Sequence, residues 1–227
     1  MEKNPNLIVM LTHHDRTVPN AAEVFAACAS SRAQYWGFKE VGLPPEQMKA
    51  LFAVMREHGK TTVLEVVAYT EAECLRGAEL AAECECDILM GTVFYDSVND
   101  FCKARGLRYM PFVGTITGRP SVLEGTVEDM IDQARTYLAK GVSGIDLLAY
   151  RYTGDPAALI RTFVRAVDAP VCLAGSIDSL SRLDEVRRSG AWGFTIGGAF
   201  FEHKFGEDFS AQIDAVCARM EAIPAAV

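Results

Sequence analysis

No stretch of this 227-residue chain is apolar for long enough to cross a membrane. The run nearest the N-terminus, Leu7 to Leu11, is also too short for the apolar core of a secretion signal. There is no excess of positive charge: 22 Lys and Arg stand against 30 Asp and Glu, for a net charge of −8. An acidic surface gives no general attraction for nucleic acid or anionic lipid, so neither is expected as a partner. An anionic ligand would have to be held by local features. Histidine is scarce, with four residues, and no His-x-His or second histidine cluster forms a metal-ligand pattern. Cys84-Glu-Cys86 is the one close cysteine pair, without a second pair to complete a zinc site. No metal or cofactor is expected. The seven cysteines are an odd number scattered over apolar positions, as in a reduced, cytoplasmic protein. Linkers, low-complexity tracts and repeats of another period are also missing.

What is present is an alternation of short apolar runs with longer amphipathic ones, the pattern of a parallel sheet with helical crossovers. The apolar runs are Leu7–Leu11, Gln34–Phe38, Thr62–Val67, Asp87–Met90, Arg108–Val113, Gly144–Ala149, Val171–Ala174 and Trp192–Ile196. Helices between them carry their own start and stop signals. Pro44 opens one that His58-Gly59 ends. Thr70 with Glu73 is a capping box, Asp96 or Ser97 caps a short helix ending at Gly106, and Thr126 caps another ending at Gly141. Asp155-Pro156 opens the next, and a last helix covers about Asp208 to Met220. Eight consecutive strand–helix units of this length predict an α/β fold, a single-domain (βα)8 TIM barrel over residues 1–227. The competing topology is an open, doubly wound sheet.

In a closed barrel the active site lies at the C-terminal ends of the strands, which restricts the polar residues that matter. Strands seven and eight end in Gly175-Ser176 and Gly197-Gly198. Glycines there let a phosphate approach backbone amides, Ser176 adds a hydroxyl, and a helix starting near Ala199 would add free N–H groups. Charges inside apolar strands are costly unless paired. Lys39 ends strand two, Glu65 lies within strand three and Asp146 within strand six, so all three could converge in the barrel mouth. Lys39 would serve as a nucleophile or acid/base, and Glu65 and Asp146 as proton-transfer groups. Alternatively the three form a structural ion-pair cluster. At the end of strand one, His13 or His14 with Asp15 could act as acid/base. Neighbouring histidines on an extended segment point opposite ways, so one of them is expected to face the pocket. Arg119 and Arg151, after strands five and six, could clamp a carboxylate or a second phosphate.

The segment Ser189-Gly-Ala-Trp-Gly-Phe-Thr-Ile-Gly-Gly-Ala-Phe resembles the final strand of the phosphate-binding barrels, particularly the N-acetylmannosamine-6-phosphate epimerases, and more loosely the histidine-biosynthesis isomerases. At strand seven the chain has Ala174 and Ser176 where those epimerases carry an acidic residue and an arginine. The resemblance implies a phosphosugar pocket and leaves the reaction open. Three functions are consistent with the residues. The first is a phosphosugar isomerase or epimerase working through an enediol. The second is an aldolase using Lys39 as Schiff-base lysine. The third is a metabolite-binding regulator without catalysis, since Cys86-Asp-Ile-Leu-Met-Gly-Thr-Val-Phe is similar to the antiterminator-like barrels of glycerol metabolism. The expected partner is a small phosphorylated metabolite. Phe200, Phe201 and Phe205 suit either a subunit interface of a homo-oligomer or packing of the last helix on the barrel.

Overall fold

The computed structural model describes residues 4–222; the outermost residues of the expected 1–227 domain lie outside it. Eight parallel strands surround one interior: β1 (Asn6–Met10), β2 (Tyr35–Lys39), β3 (Thr61–Val66), β4 (Ile88–Gly91), β5 (Arg108–Met110), β6 (Ile145–Leu147), β7 (Val171–Leu173) and β8 (Gly193–Ile196). They pair in sequence order, and β8 returns to β1, Leu7 lying opposite Phe194. The circle closes between β5 and β6 through a single parallel bridge, Phe112 to Asp146, with Asp146 N–H donating to Pro111 C=O at 3.0 Å. Pro111 explains why β5 stops at Met110 rather than running to Val113, because a proline has no N–H for the ladder. β6 likewise stops at Leu147, and Ala149–Arg151 form a single 3-10 turn.

Strand alternation sorts the side chains. Ile8, Met10, Val63, Ile88, Met90, Met110 and Cys172 fill the barrel interior, while Val9, Trp36, Phe38, Leu64 and Leu89 face the surrounding helices. Those are α1 (Ala21–Cys28), α2 (Pro45–Glu57), α3 (Glu71–Glu83), α4 (Asp96–Arg105), α5 (Val127–Ala139), α6 (Pro156–Ala166), α7 (Leu180–Ser189), the one-turn α8 (Gly198–Phe201) and α9 (Phe209–Ala222). The expected caps form at Thr70, Thr126 and Asp155. α4 differs: its cap is Tyr95, without a side-chain bond, and Asp96 sits in its first turn. Ser97 instead donates to Glu71 at 2.6 Å, a partner on α3 that local sequence does not reveal.

The aromatic group near the C-terminus packs inward. Phe200 is fully buried and, with Phe201, meets Phe209 of α9 at 5.4 and 5.0 Å between ring centroids. It holds the last helix on the barrel, the second of the two expected roles, and leaves Phe201 and Phe205 partly exposed. Among the described residues no helix is long and apolar enough to cross a membrane.

Candidate active site at the C-terminal mouth

The floor of the mouth is a charged triplet. Lys39 and Glu65 are directly paired on β2 and β3, with Nζ to Oε1 at 3.7 Å. Lys39 also donates to Asp15 Oδ1. Asp15 reaches Lys39 from a two-residue turn. Thr12–His13 and Arg16–Thr17 form a small antiparallel hairpin, and both residues of its turn are left-handed, His14 at φ 48° and Asp15 at φ 61°. That conformation favours glycine or asparagine, so the sequence carries strain here while directing a carboxylate at Lys39. Thr17 Oγ1 donates to Lys39 C=O at 2.7 Å and fixes the hairpin against β2.

Burial alone would pull the Lys39 ammonium down. Glu65 nearby, the hydrogen bond and charge of Asp15, and Glu40 more than offset it, so its pKa lies above the ordinary lysine value. Asp146 does not reach the mouth with the other two charged strand residues. It lies beneath the cavity floor, 1% exposed, and neither carboxylate oxygen meets a hydrogen-bond partner among the described residues. Burial, with the charge of Glu65 added and Lys39 acting against it, raises its pKa well above the aspartate value. Asp146 is a buried carboxyl whose charged form is disfavoured, and it is not part of the cavity lining that holds Lys39. Inward alternation from β6 put it on the correct face; the depth of that position along the strand was not legible.

Above the floor opens a cavity of about 790 Å³. Lys39, Glu65, His13, Gly175, Ser176, Gly197, Gly198, Arg119 and Arg151 all border it. The glycine rim is closely fitted. Gly175 has φ 87°, and a Cβ there would lie 2.6 Å from Arg151 Cγ, so the arginine stem lies across the glycine. At Gly197 a Cβ would meet Thr12 C=O at 2.8 Å, where the first strand's loop crosses the eighth. The Arg151 guanidinium has no hydrogen-bonded or ionic partner among the described residues, while its backbone N–H donates to Leu148 C=O at 3.0 Å. Both histidines border the cavity, contrary to the alternation expected of an extended segment, because His14 is in the turn; their rings lie 3.8 Å apart. His13 Nε2 is 3.6 Å from Glu202 Oε1, which approaches the rim from just beyond α8. Asp15, expected beside the histidines, borders the cavity but pairs with Lys39; Arg16 and Glu202 are cavity residues to which sequence reasoning gave no role.

A strap from the other side completes the mouth. After β5 the chain forms a hairpin, Thr115–Thr117 with Val122–Glu124, whose tip crosses towards β2 and β3. Tyr69 Oη pins it, donating to Gly118 C=O at 2.6 Å and lying 3.0 Å from Ser121 Oγ. There Arg119 donates from Nη2 to Val67 C=O at 2.5 Å and lies 3.7 Å from Glu40 Oε1.

Cys84 and Cys86 do not form a metal pair. Each thiol is buried, and they donate to different carbonyls, Pro45 at 3.6 Å and Ile88 at 3.1 Å.

Neither a protein-family model nor a curated protein sequence matches the chain. Solved structures do match in fold. The N-acetylmannosamine-6-phosphate 2-epimerase of Clostridium perfringens superposes with a TM-score of 0.63 at 13% identity, over 86% of each chain. A 4-hydroxy-2-oxoglutarate/2-dehydro-3-deoxyphosphogluconate aldolase gives 0.65 at 16% identity over 94% of each. The glycerol uptake operon antiterminator regulatory protein of Listeria monocytogenes gives 0.59 at 14%, over 86% of this chain and 93% of that one. An epimerase, an aldolase and a regulator thus share the architecture, and fold does not choose among their activities. The likeness to the epimerases seen in the final strand extends, as structure, over most of the chain: this protein has the (βα)8 barrel fold.

Proposed function

We propose that the protein is an isomerase or epimerase of a small phosphorylated sugar, moving a proton at the carbon beside a carbonyl. The observation that carries the reading is the Asp15–Lys39–Glu65 triplet on the floor of a cavity whose opposite rim is glycine-lined. The phosphate would lie on the amides of Gly175, Ser176, Gly197 and Gly198, with Arg151 over it. The names of the epimerase and the aldolase, both of which include phosphorylated sugars, support a phosphate there.

In this reading Glu65 takes the proton from carbon as the carbonyl oxygen gains charge. Lys39, kept protonated by its two carboxylates, donates a hydrogen bond to that oxygen and stabilises the enediolate. Asp15 holds the ammonium in place. His13, beside Glu202 at the rim, is a second proton site for returning the proton to carbon. Asp146, outside the cavity lining, takes no part in the transfer. The Schiff-base reading needs Lys39 to lose its proton before attack, and the same two carboxylates oppose that. A regulator would have no use for the ion triplet, since three charges partly withdrawn from water are costly to keep.

The test is proton exchange. In D2O, a panel of phosphorylated aldoses and ketoses should include a substrate that gains deuterium beside its carbonyl, read by NMR. Absence of exchange across the panel, with an adduct on Lys39 after borohydride and a ketone, would replace this reading with the aldolase.

A further inference from the structure

Arg16, Arg119 and Arg151 border the cavity, and the last two stand in different sectors of it. Arg151 lies on Gly175, in the β6–β7 sector with the glycine rim. Arg119 lies over the ends of β2 and β3, through Val67 and Glu40. In the ring order of the eight strands these sectors face each other across the mouth. Arg119 does not belong to the sector it occupies. It comes from the β5 strap, which passes over β4 and is pinned by Tyr69 to bring it there. Its side chain is half exposed, and only Nη2 is engaged; Nε and Nη1 have no partner among the described residues. A guanidinium fixed at one nitrogen with its other donors open to a cavity is set for planar recognition of an anion. Glu40 beside it limits how much negative charge the position accepts. A singly charged carboxylate fits better than a doubly charged phosphate. The floor beneath Arg119 is Lys39 and Glu65, so the group it binds adjoins the reacting carbons.

We infer that the substrate is anionic at both ends, a phosphorylated sugar acid whose carboxylate is received by Arg119 while its phosphate lies on the opposite glycine rim. The inference rests on the phosphate position proposed above and adds the class of molecule. Arg119 is then the residue that separates sugar acids from neutral phosphosugars.

Three probes test it by calorimetry on the full chain: glycerol 3-phosphate, 3-phosphoglycerate and glycerol 1,3-bisphosphate. The first two differ in having an alcohol or a carboxylate at the far end. The expected result is that 3-phosphoglycerate binds at least about tenfold more tightly than glycerol 3-phosphate, as a charge-assisted pair implies. In Arg119→Gln that preference should vanish while glycerol 3-phosphate binds as before, and Arg119→Lys should restore part of it. Equal binding of the first two probes to the wild type overturns the inference and leaves the phosphate rim standing. Tighter binding of the bisphosphate than of 3-phosphoglycerate overturns the carboxylate assignment. Failure of all three to bind at millimolar concentration overturns the rim and the inference together. A melting curve for each variant identifies any loss due to unfolding, and a preference that survives in folded Arg119→Gln also overturns the assignment.

Discussion

Lys39 and Glu65 are register partners on neighbouring strands, and their charged atoms lie 3.7 Å apart at the floor of the cavity. Replacing Glu65 by Gln keeps the shape and removes the base. Turnover of any substrate found by deuterium exchange should fall by roughly 10²–10⁴, the usual contribution of a positioned proton-transfer group. Wild-type exchange in folded Glu65→Gln would remove Glu65 from the chemistry.

Asp15 is the other carboxylate on Lys39, and asparagine tolerates its left-handed backbone. Asp15→Asn should therefore fold while lowering the pKa of Lys39. A lysine whose pKa is raised on folding stabilises the native state fully below the unfolded value of about 10.4, and that stability is lost as pH rises through the folded value. In the variant the alkaline loss of stability should begin at lower pH, measured as melting temperature against pH. Superimposable curves would mean that Asp15 does not control the ammonium.

The buried carboxyl of Asp146 has the same sign. Its folded pKa is raised, so its contribution is intact below about 3.9 and declines as pH climbs towards the folded value. Asp146→Asn abolishes that decline. The two proteins should melt alike near about pH 4, and the variant should gain at least ~2 °C at neutral pH, the shift that 1 kcal/mol gives a domain of this size. A variant less stable at neutral pH would show that the carboxyl has a partner it needs.

Thiol reactivity gives a test of packing alone. Burial pushes Cys86 and Cys102 up to about 12, and Cys74 and Cys217 to about 11. Of the seven, Cys217 is the one that is not fully buried. Native protein at pH 8 should consume at most one equivalent of an alkylating agent, at Cys217, and the denatured chain all seven. Rapid native labelling of Cys86 would contradict the close packing beside β3.

Much of this was legible because the signals are local. The alternation of apolar and amphipathic runs carries the strand count, and caps such as Thr70 with Glu73 lie within one turn of the helix they start. The facing of Lys39, Glu65 and Asp146 follows from period-two alternation. What was hidden depends on contacts distant in sequence. Nothing near Asp146 indicates that it stays out of the cavity lining. Nothing near Arg119 says that the strap after β5 crosses to β2 and β3, because Tyr69 decides it. The turn at His14-Asp15 was hidden for another reason: neither residue is usual there, so local preference argued against the conformation that Lys39 stabilises.

The ring closes at Phe112 and Asp146 by a single bridge, at the residue whose carboxyl is buried without a partner among the described residues. Elsewhere in the ring neighbouring strands share at least two register pairs. Here two neighbouring strands are stitched beside the very residue that titrates, and one stitch comes from Asp146's own amide. The ring is paired most sparsely at this seam, and the carboxyl that titrates stands on it.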